Sequence, residues 1–415
     1  MKRVLMIAFH FPPLAFGSGI LRTLSFVRHL PASGWTPAVL TVHPRAHEQI
    51  DPGSINTVPA EVRVERAFTL DAKRDLSIRG RYLACTARPD RWASWHVDGV
   101  RQGLRLIKEF KPDVICSTYP VATAHSIAQT LHARSGIPWV ADFRDPMLQD
   151  DYPLDAALRR SFCKVERSAV SAARFSVFTT PGAVQMYRAR YPGAAERMVL
   201  LENGYEEDDF ALLPASGPAA LSDETAPVVL LHSGLVYPEE RDPAQLFEAL
   251  SRLERAGALS PAQLRIRFRA SHHDEFLRNC AKAHNVAHWL DILPPIPHHA
   301  ALVEMMQSDA LLVMQASNCN SQIPAKLYEY LRTGRPVIAL TDPQGDTAAT
   351  LLQAGVTEMA PLDSAAQIEA LLPVFVSKVR TNTASRASPA AVQTASRSER
   401  AKTFAALLER AYSGQ

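Results

Sequence analysis

The chain lacks most of the features that would take it out of the ordinary globular class. Its 415 residues hold five cysteines, Cys85, Cys116, Cys163, Cys280 and Cys319, scattered and without metal-ligand spacing. This pattern argues against a disulfide framework and reads as reduced, mostly buried thiols of a cytoplasmic protein. No apolar run approaches the roughly 18 residues of a membrane-spanning helix. The opening MKRVLMIAF meets Pro12-Pro13 after about six apolar residues, too few for the core of a signal peptide. The net charge of +3 is too small to argue for nucleic acid. The pairs His272-His273 and His298-His299 have no further ligand spacing and are assigned to the surface. A dinucleotide fingerprint is also missing. Gly17 and Gly19 match the first two positions of G-x-G-x-x-G, but Arg22 holds the third, which disfavours a nicotinamide cofactor.

What is present is a length for two or three domains, with 47% hydrophobic and 21% charged residues. Val4–Ala8 is a continuous apolar run, the mark of a strand buried on both faces. A loop with Pro12, Pro13, Gly17 and Gly19 follows, then an amphipathic stretch over 21–30 and a second strand over 38–42. Helix and strand patterns keep alternating to Val199–Glu202, where Asn203-Gly204 makes a turn. The acidic run Glu206–Asp209 and the order-poor stretch to Pro227 read as a linker. A second series begins with Val228–His232 and runs through Ala310–Met314 to Val337–Leu340. Two such series predict two doubly wound α/β domains facing across a cleft. The expected boundaries are 1–203, a linker over 204–227, 228–380, and a polar, poorly ordered segment with a closing helix over 381–415.

The stretch Ile323–Leu340, IPAKLYEYLRTGRPVIAL, carries the most chemistry. Pro324 suits a first helical turn, Leu327, Tyr330 and Leu331 make an apolar stripe, and Gly334 with Pro336 stops the helix. A helix start with Lys326 suits a phosphate, and Glu329 one turn on suits a ribose diol. The outline is a nucleotide-diphosphate site; the bland alternative is a surface helix with one Lys–Glu pair. The glycine loop after Val228–His232, with Gly234 and then Arg241, offers a second cation for a diphosphate. Near residue 17, the loop places Gly17, Ser18 and Gly19 at a helix start.

ADFRDP, residues 141–146, follows a predicted strand, so Asp142, Arg144 and Asp145 project from its carboxyl end. They read either as a polar cluster for sugar hydroxyls and proton handling, or as a self-satisfied Arg–Asp network. His125, near a helix start, is a candidate partner, or else a structural histidine. Glu61–Lys111 holds 12 Lys/Arg against 7 Asp/Glu. That excess is either a solvated face or a dock for an anionic acceptor or lipid surface, with Arg79, Arg81, Arg88 and Arg91 in a stretch expected to be a mobile loop.

Taken in order, the residue-17 loop, ADFRDP, Asn203-Gly204 with Phe210, Gly234 with Arg241, and PAKLYEYLRTGRPVIAL resemble the family 4 glycosyltransferases of GT-B fold. The resemblance spans nearly the whole chain. It implies two Rossmann-like domains with the last helix returning to the first. It also implies retaining, metal-independent transfer of a sugar, of hexosyltransferase type, from a nucleotide-diphosphate sugar. The acceptor would be a glycan or a lipid-linked molecule in a polysaccharide pathway. By this similarity Glu329 holds the ribose, Lys326 and Arg241 the diphosphate, and Gly17–Gly19 the donor phosphate. Asp142, Arg144, Asp145 and His125 are the candidate catalytic group. Ser321 stands where the family's first glutamate would fall, which is the one clear departure. The expected partners are a nucleotide-sugar donor, an acceptor and an anionic membrane surface. No cofactor, metal or nucleic acid is expected, and the expected location is the cytoplasm, with peripheral contact at the inner membrane face. The alternatives are a non-catalytic sugar-nucleotide-binding or scaffold protein and a GT-B sugar-nucleotide epimerase.

Overall fold

A computed structural model describes residues 1–15, 18–149, 152–211, 213 and 226–414. The chain forms two units, Met1–Asn203 with Arg397–Gln415, and Gly204–Ser396. Gly17 and residues 214–225 of the expected linker lie outside the described residues, as does the side chain of Ser18.

The first unit is built on strands β1 (Lys2–Ala8), β2 (Trp35–Val42), β3 (Arg63–Ala67), β4 (Val114–Thr118), β5 (Trp139–Arg144), β6 (Phe175–Phe178) and β7 (Met198–Leu200). They pair in the order β3-β2-β1-β4-β5-β6-β7, all parallel. Because side chains alternate along a strand, Leu5, Ile7, Leu40 and Ile115 enter one core while Val4, Met6, Val39 and Val114 enter another. The closing helix Arg397–Ser413 covers the second face with Phe404, Leu407 and Leu408, and Phe404 packs 4.4 Å from Phe26, ring centre to ring centre. β3 escapes a pattern search because three of the five residues in Arg-Val-Glu-Arg-Ala are charged and the strand lies at the sheet edge.

The second unit contains β8 (Val228–Ser233), β9 (Leu264–Arg269), β10 (Leu290–Leu293), β11 (Ala310–Gln315), β12 (Val337–Thr341) and β13 (Met359–Ala360). Their order is β10-β9-β8-β11-β12-β13, again parallel. Leu230, Leu312 and Leu340 face one core, and Leu231, Leu311 and Val313 the other. The strand order reverses between β1 and β4 in the first unit and between β8 and β11 in the second. Ligands of open parallel sheets sit at the carboxyl ends of the strands at such reversals.

Two expectations about order are corrected. The acidic run within the expected linker is a helix, Glu207–Ala211, and Tyr205, Phe210 and Leu213 are buried in the second unit's core. Arg332 pairs with Glu207 and lies 5.1 Å over the Phe210 ring, so the acidic residues have a partner that sequence spacing did not reveal. The polar segment after 380 is also structured. Pro389–Thr394 is a helix capped by Ser388, with Ala391 and Val392 against the core. Ala391 and Val392 supply the partly buried contacts that dock this helix.

Arg22 decides how the first unit's loops are held. Its Nε and Nη2 donate to the two Asp142 oxygens at 2.9 and 3.1 Å, and Nη2 and Nη1 reach the carbonyls of Leu201 and Glu202 at 3.0 and 3.1 Å. Both side chains are nearly inaccessible, at 6% and 5%. Of the two readings of Asp142, the geometry fits the Arg–Asp network, with Arg22 as the arginine in a two-pronged ion pair. Removing one member of a buried pair leaves the other charge uncompensated. Asp142→Ala is expected to destabilise the first unit by about 3–5 kcal/mol, seen as a lower melting temperature. An unchanged melting temperature would show that the pair carries no stability.

Candidate functional site

In the second unit, β8 ends at His232-Ser233 and turns at Gly234, whose φ of +123° is costly for any other residue. A Cβ at Gly234 would lie 2.8 Å from Lys326 Nζ, so the absent side chain also makes room for the lysine. Lys326 opens the helix Lys326–Thr333, which Gly334 ends in a left-handed conformation. Pro324 lies just before the helix, accepting from the Leu327 N–H at 2.9 Å. Tyr330 on this helix accepts the Ser233 N–H at 2.8 Å, tying the helix to the end of β8.

The protonation of this cluster follows from its partners. His232 Nδ1 lies 3.0 Å from the Leu312 carbonyl, which only accepts, so Nδ1 carries the proton. Nε2 is then an acceptor, and Lys326 Nζ donates to it at 3.1 Å. Burial, with the nearby Lys326 charge, keeps His232 neutral, well below its ordinary range. Burial, and then the Arg241 charge, also push Lys326 well below the usual lysine range, with Glu329 pulling it back up. Arg241 donates to the Leu235 carbonyl at 2.7 Å and lies 5.4 Å over the Tyr237 ring. Gly234, Arg241, Lys326 and Glu329 are thus brought together as expected, while His232 enters as a residue whose role the sequence did not assign. Its signal was present: a histidine ending an apolar strand just before a glycine turn. Exposed His298 adds a second neighbour, 3.9 Å from Glu329 and 3.5 Å from Asp209.

The loop carrying Ser321 is held from beneath. Gln315 donates to the carbonyls of Cys319 and Gln322 at 2.9 and 3.0 Å. Asn320 donates to Asp342 at 2.7 Å and Asn318 to the Glu239 carbonyl at 3.2 Å. Those two amides are therefore occupied in shaping the loop. Ser321 itself is half-buried.

In the first unit the candidates separate. Arg144 is buried with φ of +61°, a left-handed conformation at the end of β5, where the pairing with β6 shifts register. It donates to the Tyr119 carbonyl at 3.3 Å. A Cβ on Gly19 would lie 2.5 Å from Arg144 Nη1 and 2.8 Å from His10 Nδ1, so the start of the helix Ser18–His29 lies directly against both. Asp145 is exposed, with Thr179 at 3.5 Å. His125 does not join them. It is fully buried among Tyr119, Trp139 and Phe143, bonded to Ser117 at 2.7 Å, and lowered to about 4 by burial. The expectation that it is catalytic is corrected: its helix faces the core. His10, two residues after β1, is the histidine that lies beside Arg144.

Residues 19–204 match the model of the glycosyl transferase 4-like domain. Among curated proteins none matches the chain at a significant level. Similar solved structures include sucrose-phosphate synthase from Thermosynechococcus elongatus, at 15% identity with 100% of both chains covered and a TM-score of 0.66. Anabaena HepE in complex with UDP and glucose gives 13% identity, 99% and 100% coverage and 0.66. The UDP-GlcNAc 2-epimerase from Neisseria meningitidis gives 12%, 99% and 100%, and 0.54. Residues 19–204 thus match a glycosyl transferase 4-like domain, and the chain as a whole shares the two-domain GT-B fold of these solved structures.

Proposed function

We propose that the chain transfers a hexosyl-type sugar from a nucleotide-diphosphate sugar to a glycan or lipid-linked acceptor, with retention and without a metal. The observation that carries this reading is the cluster at the end of β8. There, Lys326 at a helix start lies against a glycine and a neutral histidine, with Arg241 near and Glu329 one turn along. A diphosphate arriving there meets a helix terminus and two basic side chains. It favours the charged form of Lys326, which is otherwise held down by burial. Glu329 accepts from the ribose hydroxyls.

In the transfer step the bond from sugar C1 to the diphosphate oxygen breaks as the bond to the acceptor oxygen forms on the same face. The acceptor's proton passes to the leaving diphosphate, whose charge Lys326 and Arg241 stabilise. HepE is named in complex with UDP-glucose, so UDP and UDP-glucose are the first probes. Ser321, in place of the family's glutamate, favours a second reading in which the chain binds a sugar nucleotide without transferring it. Labelled-sugar transfer to lipid extract separates the two, and epimerisation would appear as a changed sugar without transfer.

Membrane contact is proposed for the segment between β3 and the helix Trp95–Phe110. Ile78 and Arg81 exchange two backbone hydrogen bonds, at 2.8 and 3.1 Å, around Arg79 and Gly80, both at positive φ. The expected mobile loop is thus a tight hairpin turn. It carries Ile78 at 79% and Leu83 at 73% exposure, with exposed Arg79, Arg81 and Arg88 around them. Apolar tips ringed by cations fit an anionic lipid surface. Arg91 is removed from that set, because it pairs with Glu48 at 2.6 Å and with buried Asp71 at 3.1 Å.

Three outcomes are expected. Glu329→Ala stays folded and binds UDP roughly tenfold to a hundredfold more weakly, the worth of a charged hydrogen bond; an unchanged dissociation constant would remove Glu329 from the site. Transfer persists in excess EDTA, because side-chain cations neutralise the diphosphate; complete loss restored by Mg²⁺ or Mn²⁺ would show that a metal does so instead. In liposome co-sedimentation, the protein binds anionic vesicles at low salt. Charge reversal at Arg79, Arg81 and Arg88 then lowers partition roughly tenfold or more, since each cation contributes about 1 kcal/mol. Indifference of the unmodified protein to such vesicles would leave the hairpin a solvated surface.

A further inference from the structure

The carboxyl ends of β1, β2 and β3 carry a second set of polar groups that nothing above uses. His47, just after β2, is only 8% exposed, and neither of its ring nitrogens has a hydrogen-bond partner among the described residues. Its ring packs 5.3 Å from Phe9, which also touches His10 at 5.7 Å. Arg66, on β3, donates Nη2 to the Pro12 carbonyl at 2.8 Å, while its Nη1 is buried without a partner. Buried polar atoms are nearly always paired, and leaving one unpaired is costly. Here a histidine in the loop after β2 and an arginine on the neighbouring β3 are both left so.

The electrostatics have one sign. His10 is lowered to about 4 by burial, then by Arg144 and His47, and His47 to about 4 by burial and Arg66. Among the described residues no carboxylate compensates either histidine: Glu48, next in sequence to His47, is turned to Arg91, and Asp142 is held by Arg22. Gly19 lets Arg144 and His10 lie against the start of the helix Ser18–His29, whose first N–H groups lack helical partners. Donors from the carboxyl ends of four strands and the start of one helix thus gather in one place.

We propose that His10, His47, Arg66 and Arg144 form a subsite that receives an anionic group of the acceptor, a phosphoryl or a carboxylate. This rests on the glycosyltransferase reading and specifies its acceptor. Arginine forks match the paired oxygens of both groups. A neutral imidazole supplies one N–H donor and keeps the pocket from holding a proton of its own before the anion arrives.

The test is calorimetric binding of inorganic pyrophosphate and of citrate to the full chain carrying Lys326→Ala and Arg241→Gln, which removes the second unit's cations. At least one of the two anions is expected to bind, and adding Arg66→Gln or His47→Gln to weaken it roughly tenfold or more, with Arg66→Lys recovering most of the loss. The recovery separates lost charge from lost folding. In the otherwise unmodified chain, Arg66→Gln is expected to leave UDP binding unchanged. Absence of binding by both anions, or binding that Arg66→Gln and His47→Gln leave unaltered, would overturn the subsite. Weakening of UDP to the same degree would assign the anion to the donor and overturn the acceptor assignment. The nucleotide reading stands or falls separately, on UDP binding and its response to Glu329→Ala.

Discussion

Burial of both faces of two parallel sheets is the constraint on which the rest depends. A strand such as Val4–Ala8, with every side chain inaccessible or nearly so, has no face on which to place a polar group. Chemistry is therefore pushed to the strand ends, where the backbone leaves the sheet and helix starts present unpaired N–H groups. His10 follows β1, Arg144 ends β5, and His232 precedes the turn at Gly234. Each stands at a carboxyl end, and each lies beside a glycine where a Cβ would come within 3 Å of a basic side chain, Gly19 for the first two and Gly234 for the third.

The same burial sets the charge state of these groups. Desolvation disfavours the ionised form, and the nearest neighbours of the bases are other bases, so Lys326, His232, His10 and His47 are all held below their ordinary ranges. An opposite charge beside such a base would oppose both causes by favouring its ionised form. Arg22 and Asp142 are the contrast: a pair whose charges already satisfy one another and which serves to hold three chain segments together.

Much of this was legible in residue order. The β/α alternation, the glycine stop at Gly334, the helix carrying Lys326 and Glu329, and the boundary at Asn203-Gly204 all leave local marks. Periodicity and turn chemistry act over a few residues. The misreadings share a cause. His125 and Asp142 looked functional because they are polar residues near strand and helix ends, but the Trp139–Phe143 core and Arg22, at 120 positions' distance, decide their roles. Phe210 was read with the linker and the residues after 388 with a polar, poorly ordered segment because their neighbours are polar, yet Phe210 is buried and Ala391 and Val392 are partly so.

Sequence alone determined the two doubly wound units and the residue types at their strand ends, because backbone propensity and apolar patterning are written in neighbouring positions. It could not determine which polar side chains meet. Gly234 and Lys326 are 92 positions apart, and the closeness that forbids a Cβ at one for the sake of the other exists only once β8 and β11 pair. The tautomer of His232, the depressed basicity of Lys326 and the gathering of His10, His47 and Arg66 belong to that level too. Desolvation and charge–charge coupling are properties of the folded environment, which no short stretch of chain contains.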